Sequence, residues 1–232
     1  MRLIFTPLLL ALGALLPGCA QRSYQGQALV PAALATHRTV AVLPFEVALE
    51  RLRLGDVAVN SGSLPDSTAR RLSRQLESAE RAECRQRGHQ LQAELQAALM
   101  RQQVRRPSAV AFQHPADTNQ RLARAGITDD NLPTCSLAEL RAALGVDAVL
   151  LGRTVLRQLL PGGVSVALFV LTDGNPMADN GVRTRLIIHD TRTGQPAWRF
   201  DHELRGKPSV SPAALANALV RDMRGSFPYF RE

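Results

Sequence analysis

Five histidines and three cysteines are the residues of this chain best suited to chemistry, and their spacing decides how far that chemistry goes. Nucleophilic catalysis needs a hydroxyl or thiol held beside a base that is itself oriented by a third group. His37, His89, His114, His189 and His202 are scattered among many serines, and no local motif supplies that arrangement. There is no Gly-x-Ser-x-Gly elbow, no His-Glu-x-x-His zinc helix and no glycine-rich phosphate loop, since Pro161-Gly162-Gly163 reads as a turn. His189 and His202 stand where a hairpin would bring them near each other, but two imidazoles without a third ligand favour a structural role over a metal site. The loop Asp173-Gly-Asn-Pro-Met-Ala-Asp179-Asn180-Gly181 superficially suggests calcium. Met177 falls where an oxygen ligand is needed and no glutamate follows, so it reads as a polar turn. The sequence predicts no catalytic residue, no metal and no cofactor.

Cys19 stands apart from these. Arg2 supplies a positive start, and Leu3 to Leu16 form a mostly apolar stretch, interrupted by Pro7, that is shorter than the roughly 20 residues a membrane-spanning helix requires. Leu16-Pro17-Gly18-Cys19 follows directly and resembles the lipobox of bacterial lipoproteins. In that motif a small residue precedes a cysteine that is diacylated, freed by signal peptidase II and then N-acylated. Pro17 occupies a place where the motif usually holds a small residue. Ala20, rather than aspartate, follows Cys19, which in lipoproteins of this type implies export to the outer membrane. Acyl chains bury at about 0.8 kcal/mol per methylene, so several on one cysteine hold a protein on a bilayer without a spanning segment. The competing reading is an ordinary signal peptide followed by a chance cysteine. The expected organisation is a signal peptide over 1–18, a lipidated tether over 19–37 and one periplasmic domain over 38–232. The tether reading rests on the stretch from Ala20 to His37, which carries Gln, Ser, Gly and Pro31 without an apolar period.

Composition fits that organisation. The 232 residues are 45% hydrophobic with a formal charge of +8, enough for one good-sized core. Of the 28 basic residues only Lys207 is a lysine, and the ten aromatics lie mostly in apolar runs rather than interleaved with the arginines, so nucleic acid is not the expected partner. Cys84 and Cys135 remain once Cys19 is lipidated. In an oxidising periplasm they are candidates for a disulfide, the alternative being two separately buried thiols.

The elements that would position these residues can be read in turn. Thr39 to Phe45 is a short apolar run with two valines, suited to a strand covered on both faces. From Asp66 the period becomes helical: Ala69, Leu72, Leu76 and Ala79 form a stripe, with Glu77/Arg81 and Glu83/Arg87 as outward i,i+4 pairs. Gly88 is expected to end or kink that helix, and Leu91, Leu95 and Leu99 continue the period, as one long bent helix or two successive ones. Its arginines read as a solvated face, the alternative being a functional basic surface. Val104 to Phe112 reads as a weak strand confined to an edge by Pro107. Ser136-Leu-Ala-Glu139 is a capping box opening a helix that Gly145 stops. Strands are expected over Val146–Leu156, Val164–Thr172 and Val182–Asp190. A hairpin through Gly194 then leads to Pro196–Leu204, where Trp198, Phe200 and His202 alternate with charged residues. Ser211-Pro212 opens a last helix with Leu215, Leu219 and Met223 on its buried stripe and Gly225 closing it. The fold class is α/β (α+β): a mixed β-sheet with helices packed on it.

Three segments carry a family resemblance: Val40-Ala-Val-Leu-Pro-Phe45, Leu144-Gly-Val-Asp-Ala-Val-Leu-Leu-Gly152 and Leu186-Ile-Ile-His-Asp-Thr-Arg-Thr-Gly-Gln-Pro-Ala-Trp198. In this order they resemble a group of bacterial envelope proteins sharing an α/β domain. The group comprises the curli-secretion-channel lipoproteins, the amino-terminal domain of TolB, the penicillin-binding-protein activator LpoB and the polysaccharide-export lipoprotein PelC. The stretch near 49–88 is longer than the group's first helix and reads as a helical insertion. The resemblance implies a non-catalytic, lipid-anchored protein of the outer membrane's periplasmic face that binds an envelope protein partner, or copies of itself, to support envelope assembly or export. The alternative it implies is activation of a cell-wall synthase; a periplasmic hydrolase is a third reading. Channel members of the group add barrel-forming hairpins, and Leu168-Phe-Val-Leu171 is apolar without the alternation those need.

Overall fold

The computed structural model describes residues 22–51, 66–105, 108, 110–158, 181–205 and 211–230. Among the described residues seven strands form one mixed sheet: β1 (Arg22–Ala28), β2 (Thr39–Val42), β3 (Glu46–Arg51), β4 (Ala111–Gln113), β5 (Ala148–Gln158), β6 (Gly181–Asp190) and β7 (Pro196–Arg205). Among the same residues five α-helices accompany it: α1 (Pro31–Thr36), α2 (Asp66–Arg105), α3 (Pro115–Arg124), α4 (Leu137–Leu144) and α5 (Pro212–Met223). The strand order is β1-β7-β6-β5-β2-β4, and β3 pairs with β5 further along it than β2 does. β2, β3 and β4 run parallel to their neighbours, whereas β5-β6-β7 is an antiparallel meander with β1 added to its outer edge.

Alternation along the central strands sends side chains into two cores. Val40, Val42, Ala148, Leu150, Leu186, Ile188, Trp198 and Phe200 pack with Leu91, Leu95 and Leu99 of α2 and with Leu215, Leu219 and Met223 of α5. Ala41, Leu43 and Val149 face the other way and meet Leu122 of α3 and Leu140 and Leu144 of α4. Helices therefore cover both faces, which is why Val40, Ala41 and Val42 of β2 are all apolar. Trp198 is fully buried, and its indole N–H donates to the Ser226 carbonyl at 2.8 Å, satisfying the one polar atom that burial would otherwise strand.

Local signals fold as their chemistry dictates. Ser136 accepts from the Glu139 amide at 3.2 Å while the Glu139 carboxylate accepts from the Ser136 amide at 2.7 Å, and Gly145 ends α4 at φ +66°. Ser211 caps α5 with Pro212 in its first turn. The Asp190–Gly194 turn is held by Asp190 itself, whose Oδ1 accepts from the amides of Arg192 and Thr193 at 2.8 Å each.

Four expectations are corrected. The stretch read as a tether over 19–37 is folded from Arg22: β1 pairs along its whole length with β7, and α1 follows. A polar edge strand needs only one paired side and carries no apolar alternation, so nothing in its composition announces it. Gly88 does not end the helix; α2 is a single 40-residue element, the one-helix alternative of the two left open. Gly88 serves close approach instead, because its carbonyl accepts from the Phe45 amide at 3.2 Å and a Cβ there would collide with the Phe45 carbonyl oxygen. The reading of Val104–Phe112 as a strand gives way to helix through Arg105 and a three-residue strand at Ala111–Gln113. The insertion near 49–88 is not helical at its start, since residues 49–51 belong to β3. The turn at Pro161-Gly162-Gly163, the strand at Val164–Thr172 and the loop from Asp173 to Asn180 lie outside the described residues.

Candidate functional site

The histidines are dispersed to separate structural duties. His37 ends α1 and is buried: its Nδ1 lies 2.7 Å from the Tyr229 hydroxyl and its Nε2 3.3 Å from Asp190 Oδ2. His114 caps α3, accepting from the Ala116 amide at 3.2 Å. His89 of α2 meets Asp129 at 3.0 Å and so joins the helix to the loop before α4. His202 is buried between the sheet and α5, with Nε2 3.0 Å from Asp222 Oδ2. His189 is on the opposite sheet face from His202, because the β6/β7 register pairs His202 with Thr184 and His189 with Pro196. The two imidazoles that sequence places on one hairpin are thus not brought together.

Electrostatics follow from this burial. For His202, burial is the leading influence and outweighs the attraction of Asp222, so the imidazole is pushed below its ordinary value. With Nε2–H donated to Asp222, Nδ1 is left as a bare acceptor without a partner among the described residues, and a proton added there would be buried unsatisfied. Burial likewise pushes His189 down. For Asp190 burial works against the charge, but the amides of Thr193 and Arg192 and the ring of His37 outweigh it and hold the carboxyl below its usual range. Asp147 is kept low in the same manner by the amides of Arg38 and Thr39, which outweigh its burial. Burial raises the Tyr229 phenol, with the charges of Asp147 and Asp190 adding to it, so it stays a neutral donor for His37.

The concavity is elsewhere. A groove of about 720 Å³ lies where the first half of α2 passes β3 and the β5/β6 face. Leu43, Leu132, Pro133, Leu151 and Ile187 give it an apolar lining, and His189 and Cys84 reach it from the sheet and the helix. Its rim is charged but paired: Arg81 with Glu77 at 3.5 Å, Arg85 with Asp130 at 3.4 Å and Arg153 with Glu46 at 3.4 Å. The i,i+4 pairs expected on α2, Glu77/Arg81 and Glu83/Arg87, both form. Sequence reasoning missed this groove because β3, α2 and the loop at 129–133 are far apart along the chain. The one available signal was the apolar break Leu43-Pro44-Phe45 between two strands.

Cys84 and Cys135, the expected disulfide, are both half-buried and are not joined to each other. Cys84 faces the groove on α2, whereas Cys135 packs with the second core beside α4. Among the described residues no group of histidines, cysteines and carboxylates is arranged to hold a metal, and no helix is long and apolar enough to cross a membrane. Cys19 precedes the first described residue.

No family model matches the chain, and no curated protein does. Solved structures similar to it include a PelC dodecamer from Paraburkholderia phytofirmans, 13% identical, covering 91% of this chain and 99% of that one with a TM-score of 0.38. Lipoprotein GNA1162 from Neisseria meningitidis is 14% identical, covering 81% of this chain and 94% of its own with a TM-score of 0.36. The LpoB C-terminal domain from Salmonella enterica is 10% identical, covering 73% and 84% with a TM-score of 0.29. PelC and LpoB are two of the proteins named by the sequence resemblance. At TM-scores this low the likeness carries no argument about what this chain does.

Proposed function

We propose that this chain is a non-catalytic envelope lipoprotein, held by acyl chains on Cys19 at the periplasmic face of the outer membrane, whose domain binds a partner protein to support envelope assembly or export. The observation that carries the reading is the groove beside α2: an apolar floor inside a rim whose charges are already paired suits an apolar protein segment better than a charged small molecule. The anchor half of the proposal rests on Gly18-Cys19 after an apolar leader. A second copy of the chain is the other occupant the groove would accept. The synthase-activator reading is less well supported, because only Ala20 and Gln21 lie between Cys19 and β1, and the three residue steps from Cys19 to Arg22 span about 10 Å even when extended.

The test is photocrosslinking in intact cells from a benzoylphenylalanine placed at Ala48, with the same group at Arg192 in the β6/β7 turn as the control. A discrete adduct from position 48 alone is expected. Adducts of the chain with itself support an export assembly, a synthase adduct supports the activator, and no adduct specific to position 48 refutes the groove as the partner site. The same cells fed a palmitate analogue report on Cys19: label on the parent and none on Cys19→Ser is expected, and equal label on both refutes the anchor.

A further inference from the structure

We propose that the corner of the sheet where β1 begins and β7 ends is a membrane-apposed surface that binds anionic phospholipid headgroups. The proposal rests on the lipid anchor proposed above and adds to it the orientation of the domain and the surface that fixes it. The first argument is chain length. Arg22 is paired with Leu204 in the sheet, so a residue fixed in the sheet lies three positions after Cys19. Three residues reach about 10 Å, which leaves the domain no freedom to turn another face to the bilayer that its anchor enters.

The second argument is charge. Four guanidinium groups at this corner share two carboxylates: Arg22 and Arg221 both reach Asp222, at 3.4 and 2.9 Å, and Arg183 and Arg205 both reach Glu203, at 3.4 and 2.9 Å. Asp222 offsets only one of Arg22 and Arg221, so the corner carries surplus positive charge, and the four arginine side chains remain 49% to 65% exposed. Guanidinium is the group whose planar fork best matches phosphate oxygens. Tyr24, one turn of the pleat beyond Arg22, is 52% exposed, with its ring stacked on the buried His202. A half-exposed tyrosine next to arginines has the amphipathic character that suits the headgroup layer. At the other end of β7 the turn through Arg192 and Gly194 lies roughly 30 Å away along the strand, and the same geometry holds it off the membrane.

The experiment uses the full-length acylated protein reconstituted in vesicles of phosphatidylcholine alone or of phosphatidylcholine with phosphatidylglycerol at 3:1. Phenylglyoxal modification of each arginine is read by mass spectrometry. Arg22, Arg205 and Arg221 are expected to react several-fold more slowly on the anionic vesicles than on the neutral ones, while Arg192 reacts equally on both. Protection that is uniform over the surface, or greater at Arg192, overturns the proposal. A variant with twenty Gly/Ser residues inserted after Ala20 separates the surface from the short connection. Protection at the corner is expected to persist on anionic vesicles, and its loss there overturns the headgroup site. Protein that stays out of both vesicle types and carries no acyl group instead refutes the anchor itself.

Discussion

The ring of Phe45, in the break between β2 and β3, lies directly on the backbone of Gly152 in β5, where a Cβ would meet three of its ring carbons. The backbone of Phe45 is also tied to α2, its amide donating to the Gly88 carbonyl at 3.2 Å. Gly152→Ala is therefore expected to destabilise the fold by about 1–3 kcal/mol through overpacking. Phe45→Ala should cost about 3–5 kcal/mol by leaving a cavity. In the Phe45→Ala background the glycine substitution should cost much less, because the space it needs is then open. Urea unfolding of the four proteins checks this; additive losses would show that the two residues do not compete for one space.

Asp190 links three parts of the chain, accepting from two turn amides through Oδ1 while Oδ2 faces His37, whose other ring nitrogen meets Tyr229. All three side chains are buried. Asp190→Ala leaves a buried imidazole and two turn amides without their partner and is expected to cost about 3–5 kcal/mol. Tyr229→Phe removes one hydrogen bond and should cost about 1 kcal/mol. Equal losses from the two substitutions, measured by thermal or urea unfolding, would refute the assignment of Asp190 as the hub.

Stability should fall in two steps as the pH drops. His202 and His189 are both pushed below their ordinary value, so the folded state disfavours their protonation. Their contribution is complete above about pH 6.5, where the unfolded chain titrates, and is lost as the pH falls through the lower folded values. Asp147, Asp190 and Asp222 are held low, so theirs is complete above about pH 4 and is lost below it. Unfolding midpoints measured from pH 8 to pH 3 test this. His202→Gln is expected to shrink the first step and leave the second in place; an unchanged first step would refute the role given to His202.

Cys84 and Cys135 are expected to behave as two thiols. Alkylation under denaturing, non-reducing conditions should add two labels to the chain. An unchanged mass would mean that they pair, in which case the loop at 129–136 must move toward α2.

What the sequence determined by itself was local. The capping box at Ser136 and Glu139, the Ser211-Pro212 start of α5, the turn at Asp190–Gly194 and the alternation of Trp198, Phe200 and His202 each depend on groups a few residues apart. The Gly18-Cys19 pair, which resembles a lipobox, is local in the same sense. Tertiary structure alone decided what polar or distant residues do. β1 is a strand because β7 presents a free edge to it, not because Arg-Ser-Tyr-Gln-Gly-Gln-Ala prefers to be extended. Gly88 stays within a helix because Phe45 needs the space its missing side chain leaves. The groove exists because β3, α2 and the 129–133 loop converge from separate parts of the chain, and the arginine corner because the last residues of β7 and α5 return to the first residue of β1. Hydrogen-bond pairing and close packing are properties of neighbours in space, and a linear pattern reports only neighbours along the chain.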